Sequence, residues 1–222
     1  ERLIGGERRS ESAGRRIEPL TLPASPVLLH EAGPEPDQGG EPPDLSNLTY
    51  SVLDIETRRS AQEVGGWHRA DRMGVSVAIR YDSAADEYVE YFQDDVEQLA
   101  QDLEQTDLVI GFNIIRFDYK VLSGLSNYPF HRLVTLDILM AVHQRLGYRL
   151  SLDALAGQSL GAKKSADGLA ALRWWKQGRM DKIIDYCRQD VRVTRDLYRY
   201  GLDNRFLVFK NKAGHQVRVP VD

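Results

Sequence analysis

The sequence predicts an α/β fold: a mixed five-stranded sheet, an antiparallel meander plus parallel strands, flanked by helices. Three observations carry that expectation. Residues 51–57, 74–81 and 88–93 read as strands joined by short connections. Residues 107–112 form a continuous apolar run behind an amphipathic stretch, the pattern of a buried parallel strand. From Asp137 onward the chain reads as almost entirely helical. A meander followed by right-handed crossovers gathers these elements into one sheet with helices on its faces.

At 222 residues the chain can hold one sizeable domain plus extensions. Residues 1–45 contain seven of the nine prolines together with Gly33, Gly39 and Gly40, and no apolar periodicity. They read as a Pro/Gly-rich linker or disordered tail tethering the domain at 46–222 to a preceding one. The opening residue is Glu1 rather than Met, which suggests a processed product or a fragment. A single cysteine, Cys187, excludes a disulfide framework and a multi-cysteine zinc site, and makes a reducing compartment the default. With no signal-peptide pattern and no apolar run of bilayer length, the expected setting is cytoplasmic, without a membrane partner.

The net charge of -4 falls wholly in the first 45 residues, where five Arg face nine Asp or Glu. The remainder is neutral but polarised along the chain. Residues 81–107 carry ten acids and no Lys or Arg, whereas residues 163–199 carry ten bases against five acids. One edge is therefore expected to face a polyanion and the other to turn away from it.

Taken in order, the first strand, Ser51-Val52-Leu53-Asp54-Ile55-Glu56-Thr57, alternates its side chains between two faces. Residues 58–72 read as a polar loop, and an 82–87 turn separates the second and third strands. Val96, Leu99, Ala100 and Leu103 recur at helical spacing within residues 95–105. A helix through Phe117, Val121 and Leu122 follows the apolar strand, and residues 133–136 are the fifth strand. Residues 206–219 read as a C-terminal hairpin around Asn211-Lys212-Ala213-Gly214.

The alternation puts Asp54 and Glu56 on one face and Leu53 and Ile55 on the other. Two adjacent carboxylates repel, and within an apolar segment they need a cation or proton to offset them. The same pair also arises as the solvated face of a half-exposed strand. Asp118 stands in the first turn of the helix after the apolar strand, where it can look across at the first strand or simply complement the helix dipole. Asp190 lies seven residues after Ile183, on the stripe that also holds Cys187, Thr194 and Leu197. Tyr186 projects from that face one turn earlier, whereas Asp185 points about 100° away into solvent. Cys187 reads as a small buried hydrophobe with no base beside it.

Asp54-Ile55-Glu56, Gly111-Phe112-Asn113 with Phe117-Asp118, and Tyr186-x-x-x-Asp190 resemble the three motifs of the DEDD superfamily of 3′ to 5′ exonucleases. The third motif resembles the tyrosine branch, because Asp occupies position 185, where the histidine branch has His. The details are similar to the proofreading domain of B-family DNA polymerases. They are closer still to bacterial ribonuclease H-like exonucleases that work with DEAD/DEAH-type helicases. Residues 151–156 and Leu160-Gly161-Ala162-Lys163 resemble the helical linker between the second and third motifs. The resemblance spans about residues 50–200.

It implies a ribonuclease H-like sheet and two Mg²⁺ or Mn²⁺ ions about 3.5 to 4 Å apart, hard cations suited to oxygen ligands. Asp54 would bridge both ions, Glu56 and Asp190 would hold the water-side ion, Asp118 would assist the other, and Tyr186 would orient the water. The implied activity is hydrolysis of single-stranded DNA, before RNA, from the 3′ end, in DNA repair or processing alongside a helicase, fused or separate. Thr57 by its backbone, Asn113 by its amide and Lys163 or Lys164 by charge are the expected contacts to the terminal nucleotides. The two lysines also fit a solvated loop pair. Asp137 reads as a helix N-cap or first-turn acid. The rival readings are a ribonuclease H-like endonuclease and a catalytically idle scaffold that binds nucleic acid or a helicase.

Overall fold

A computed structural model describes residues 48–162 and 169–221. The linker at 1–45, Lys163 and Lys164 lie outside the described residues. The central sheet has five strands in the order β3-β2-β1-β4-β5. Its first three form the meander: β1 (Tyr50–Thr57), β2 (Val75–Asp82) and β3 (Glu87–Tyr91), paired antiparallel. β4 (Leu108–Gly111) and β5 (Thr135–Asp137) then add in parallel on the other side of β1. The predicted mixed sheet is the one observed.

The segment read as a polar loop at 58–72 is not all loop. It contains a short helix, α1 (Ala61–Val64), and a 3-10 turn, Trp67–Arg72. Ser60 caps α1 through a reciprocal capping box with Glu63. That pairing is visible in the sequence as Ser-x-x-Glu, but four residues are too few to display an apolar stripe. The stretch after the meander is α2 (Val96–Glu104), whose Val96, Leu99, Ala100 and Leu103 are buried as their spacing requires. α3 (Asp118–Leu122) follows β4. Beyond β5 come α4 (Ile138–Leu146), α5 (Leu152–Ser159), α6 (Leu169–Lys176) and the long α7 (Met180–Asn204). The hairpin β6 (Phe206–Lys210) and β7 (Gln216–Pro220) closes the chain as a separate two-stranded sheet. No helix of the described residues is long and apolar enough to cross a membrane.

The alternation of β1 divides the interior in two. Leu53 and Ile55 join one core with α2, α3 and the 61–73 segment. Val52 faces the other, where Ile110, Ile183, Cys187, Val191 and Leu197 gather under α7. Each fully buried Leu or Ile contributes about 1.5 to 3 kcal/mol, so both faces of β1 are held. α7 therefore lies against the face that carries Asp54 and Glu56.

The charge polarity read along the chain does not survive as two separate edges. α7 packs beside the meander, where Arg188 pairs with Glu90 of β3. Arg195 lies over the rings of Tyr81 and Tyr88, and Arg199 donates to the hydroxyls of Tyr50 and Tyr81. These bases are used in holding the helix to the sheet.

Candidate active site

β1 carries Asp54 and Glu56 beyond the end of its pairing with β4, which stops at Val52 opposite Ile110. A bulge between Glu56 and Thr57 then breaks the register with β2. The last residues of β1 thus have one open edge, and Asp118 fills it. The peptide N–H of Ile55, the residue between the two strand acids, donates to the Asp118 carboxylate. Asp118 is buried, at 3% exposure.

The loop from Gly111 to Asp118 is built to make that reach. Gly111 leaves β4 so close to Ile114 that a Cβ there would lie 2.6 Å from the Ile114 Cβ. Asn113 takes a left-handed φ of 67°, which Asn tolerates better than most residues. Asp137, at the end of β5, then gathers the loop. Its Oδ1 accepts from the N–H groups of Asn113 and Met140, and its Oδ2 from that of Ile115. Asp137 is the N-cap of α4, as its position suggested, and in addition the clamp of the preceding loop.

α7 supplies the fourth acid. Oxygen atoms of Asp54, Glu56 and Asp190 lie within 4.8 Å of one another. Asp118 stands outside that threesome, yet its charge acts on Asp54 and on Glu56. Burial, followed by the charges of Asp118, Asp190 and Glu56, holds the Asp54 carboxyl well above the usual range. Burial and then Asp190 and Asp118 push Glu56 up to about 8. Asp118 is likewise raised to about 8 by burial, despite its own and the Ile55 amides. Burial raises Asp190 to about 6, against a hydrogen bond from Tyr186 that lowers it. Four acids from three distant segments therefore crowd one half-buried place, and among the described residues no Lys, Arg or His offsets them. Such a donor set fits a hard divalent cation, which would remove the repulsion.

A family model of the RNase_H superfamily matches residues 52–201. The chain belongs to this superfamily. No curated protein sequence matches it. Among solved structures, it is similar to the family B DNA polymerase from the hyperthermophilic archaeon Pyrobaculum calidifontis, with a TM-score of 0.55 and 16% identity. That match covers 75% of this chain and 25% of the polymerase chain, so the chain spans about a quarter of the polymerase's length. At this identity the likeness is one of fold. Ribonuclease H-like nucleases use divalent metals, and the acidic cluster together with the superfamily supports a nuclease.

The remaining residues singled out in this ribonuclease H-like domain are distributed around the cluster. Tyr186 donates to Asp190, and its ring meets the edge of Trp174 at 6.0 Å. Thr57 is buried, its hydroxyl bonded to the Arg59 carbonyl. The side-chain oxygen of Asn113 accepts from Arg149 at 2.8 Å. Trp175 lies under Arg58 at 4.8 Å. Trp174 and Trp175 are both half-buried against the α7 core.

Cys187 differs from its sequence reading. It is buried as expected, but its sulfur lies 3.3 Å from the Asp54 carbonyl oxygen and 3.5 Å from a carboxylate oxygen of the same residue. Its place one helical turn before Val191 on the buried stripe, three residues from Asp190, was the available signal. Arg149 and the clamp made by Asp137 were also missed. Both are contacts between residues at least 22 positions apart, which no local periodicity reports.

Proposed function

We propose that the domain is a divalent-metal-dependent 3′ to 5′ exonuclease of the DEDD type, tyrosine branch, acting on single-stranded nucleic acid, DNA before RNA. The observation that carries this is the approach of Asp190, from α7, to Asp54 and Glu56, from β1, to within 4.8 Å. Two strand carboxylates alone are a wet face. A third, delivered by a distant helix into a partly buried place, is an arrangement that costs stability without a cation.

Asp54, Glu56 and Asp190 are the residues that would hold Mg²⁺ or Mn²⁺, with Asp118 beside them. When bound, the ions would activate water and offset charge on the phosphate under attack. The chain's own part is positioning. Tyr186, held by Asp190, orients the attacking water and is a poor base at neutral pH because a phenol ordinarily titrates near 10. The Thr57 backbone and the Asn113 amide hold the terminal nucleotide, with Lys163 and Lys164 adding charge. A DEAD/DEAH-type helicase, fused or separate, is the proposed partner. The motif details and the Pro-rich residues 1–45 support that partner.

A 5′-labelled single strand should shorten stepwise from its 3′ end in Mg²⁺ or Mn²⁺, while a circular strand of the same sequence persists. Cleavage of the circle would make the enzyme an endonuclease instead. Full activity in Asp118→Asn would refute the proposed site, and an intact linear strand in every divalent cation tried would refute the activity.

A further inference from the structure

The cleft beside the 112–117 loop carries positive charge that neither the fold nor the acid cluster uses. Asn113, Arg116, His143 and Arg149 line it together with Asp137, Leu139 and Met140. Asp137 is not a loose counter-charge there, because three backbone N–H groups occupy its two oxygens. Arg149 donates one N–H to Asn113, and a guanidinium has five. Among the described residues the side chains of Arg116 and His143 make no hydrogen bond or ion pair, and both are exposed. The cleft is half open to solvent, with a volume of about 30 Å³. That is room for an ordered water or a phosphate oxygen.

The cleft adjoins the acid cluster. Asn113 and Arg116 belong to the loop that delivers Asp118, and the charge of Asp137 acts on Asp118. β1, β4 and β5 run parallel, so their carboxyl ends share one rim, the place where ligands gather in open α/β sheets. A polyanion approaching four carboxylates needs cationic contacts beside them, and phosphate contacts dominate the affinity of such ligands.

We infer that this cleft binds a backbone phosphate of the substrate strand, on the 5′ side of the linkage held at the acid cluster, through Arg116, His143 and Arg149. The inference rests on the nuclease reading and names a substrate contact for it.

The test is binding, read by fluorescence anisotropy in Ca²⁺, of single strands that each carry one neutral methylphosphonate linkage at a successive position. One position near the 3′ end should weaken binding by the intact protein about tenfold, the scale of a charge-assisted hydrogen bond. The same linkage should cost Arg116→Gln with His143→Ala clearly less, because only Arg149 is left to meet it, and the salt dependence of that double variant should fall by about 0.7 for each phosphate it no longer holds. Both residues are exposed, and circular dichroism checks that the variant is folded. A scan that does not distinguish the variant from the intact protein overturns the inference. So does a cleft that holds only inorganic phosphate or a nucleoside 5′-monophosphate, competed at the same concentration whichever linkage is neutral. If the positional pattern appears in a protein that never shortens the strand, the exonuclease reading fails and the cleft stands. A flat scan in a protein that does shorten it removes the cleft alone.

Discussion

The sulfur of Cys187 lies 3.3 Å from the carbonyl oxygen of Asp54 and 3.5 Å from its carboxylate, joining the first half of α7 to the strand that bears the acids. The two residues are 133 positions apart in sequence. Burial, then the charges of Asp54 and Glu56, hold the thiol well above its usual range. A neutral, inaccessible thiol is a poor nucleophile. Ellman's reagent at about pH 8 should therefore leave the native protein unmodified and titrate one thiol after unfolding in guanidinium. Rapid reaction of the native protein would contradict this placement of α7 on β1.

Crowded carboxylates make metal binding and stability depend on pH in opposite senses. Glu56 and Asp118 are raised to about 8 and Asp190 to about 6, so the metal-free folded protein keeps protons that the unfolded chain has released. The stabilisation is complete at or below the ordinary carboxylate range and is lost progressively as pH rises from there, through about 6 for Asp190 and about 8 for Glu56 and Asp118. The Tm of EDTA-treated protein should fall across that window. Apparent Mg²⁺ affinity should rise over it and level off above about 8, with protons released on binding. Calorimetry in buffers of different ionisation enthalpy counts those protons.

Replacing one acid should separate function from stability. Glu56→Gln removes one source of repulsion. In EDTA at about pH 8 its Tm should exceed that of the unaltered protein, while its turnover with Mg²⁺ should fall by about a hundredfold or more. A lower Tm in EDTA would mean that the acids are not in mutual repulsion.

Tyr186→Phe removes the hydrogen bond that lowers Asp190. The acidic limb of the pH–activity profile should move to higher pH, with little loss of stability. An unshifted limb accompanied by lower turnover would assign Tyr186 to water positioning alone.

Asp137→Ala leaves the N–H groups of Asn113, Ile115 and Met140 without their acceptor. The expected loss is about 2 to 4 kcal/mol in urea unfolding, one part for the N-cap and the rest for the loop amides. Asp137→Asn keeps an acceptor oxygen and should lose less. Gly124→Ala acts on the other side of α3, where a Cβ would run into the backbone oxygen of Asp71. Backbone cannot yield as a side chain does, so about 1 to 3 kcal/mol should be lost.

Much of this molecule is written locally. Strand alternation separates Asp54 and Glu56 from Leu53 and Ile55, and the apolar run before Gly111 reads as a buried parallel strand. The spacing of Ile183, Cys187, Thr194 and Leu197 marks the inner face of α7. These are periodicities of two and 3.6 residues, set by backbone geometry within a few neighbours. Element order and sheet type follow from them, and they match the observed β3-β2-β1-β4-β5 sheet.

Other features are settled only when distant segments pack. That Asp118 hydrogen-bonds Ile55 N–H depends on β4 ending early and on Asp137 clamping the loop. That Arg188 meets Glu90, merging charges the chain keeps apart, depends on where α7 lies across the sheet. Side-chain pattern fixes which face of an element turns inward. The element it faces, and the register at which they meet, follow from filling a shared interior at close-packed density, a condition on the whole chain at once.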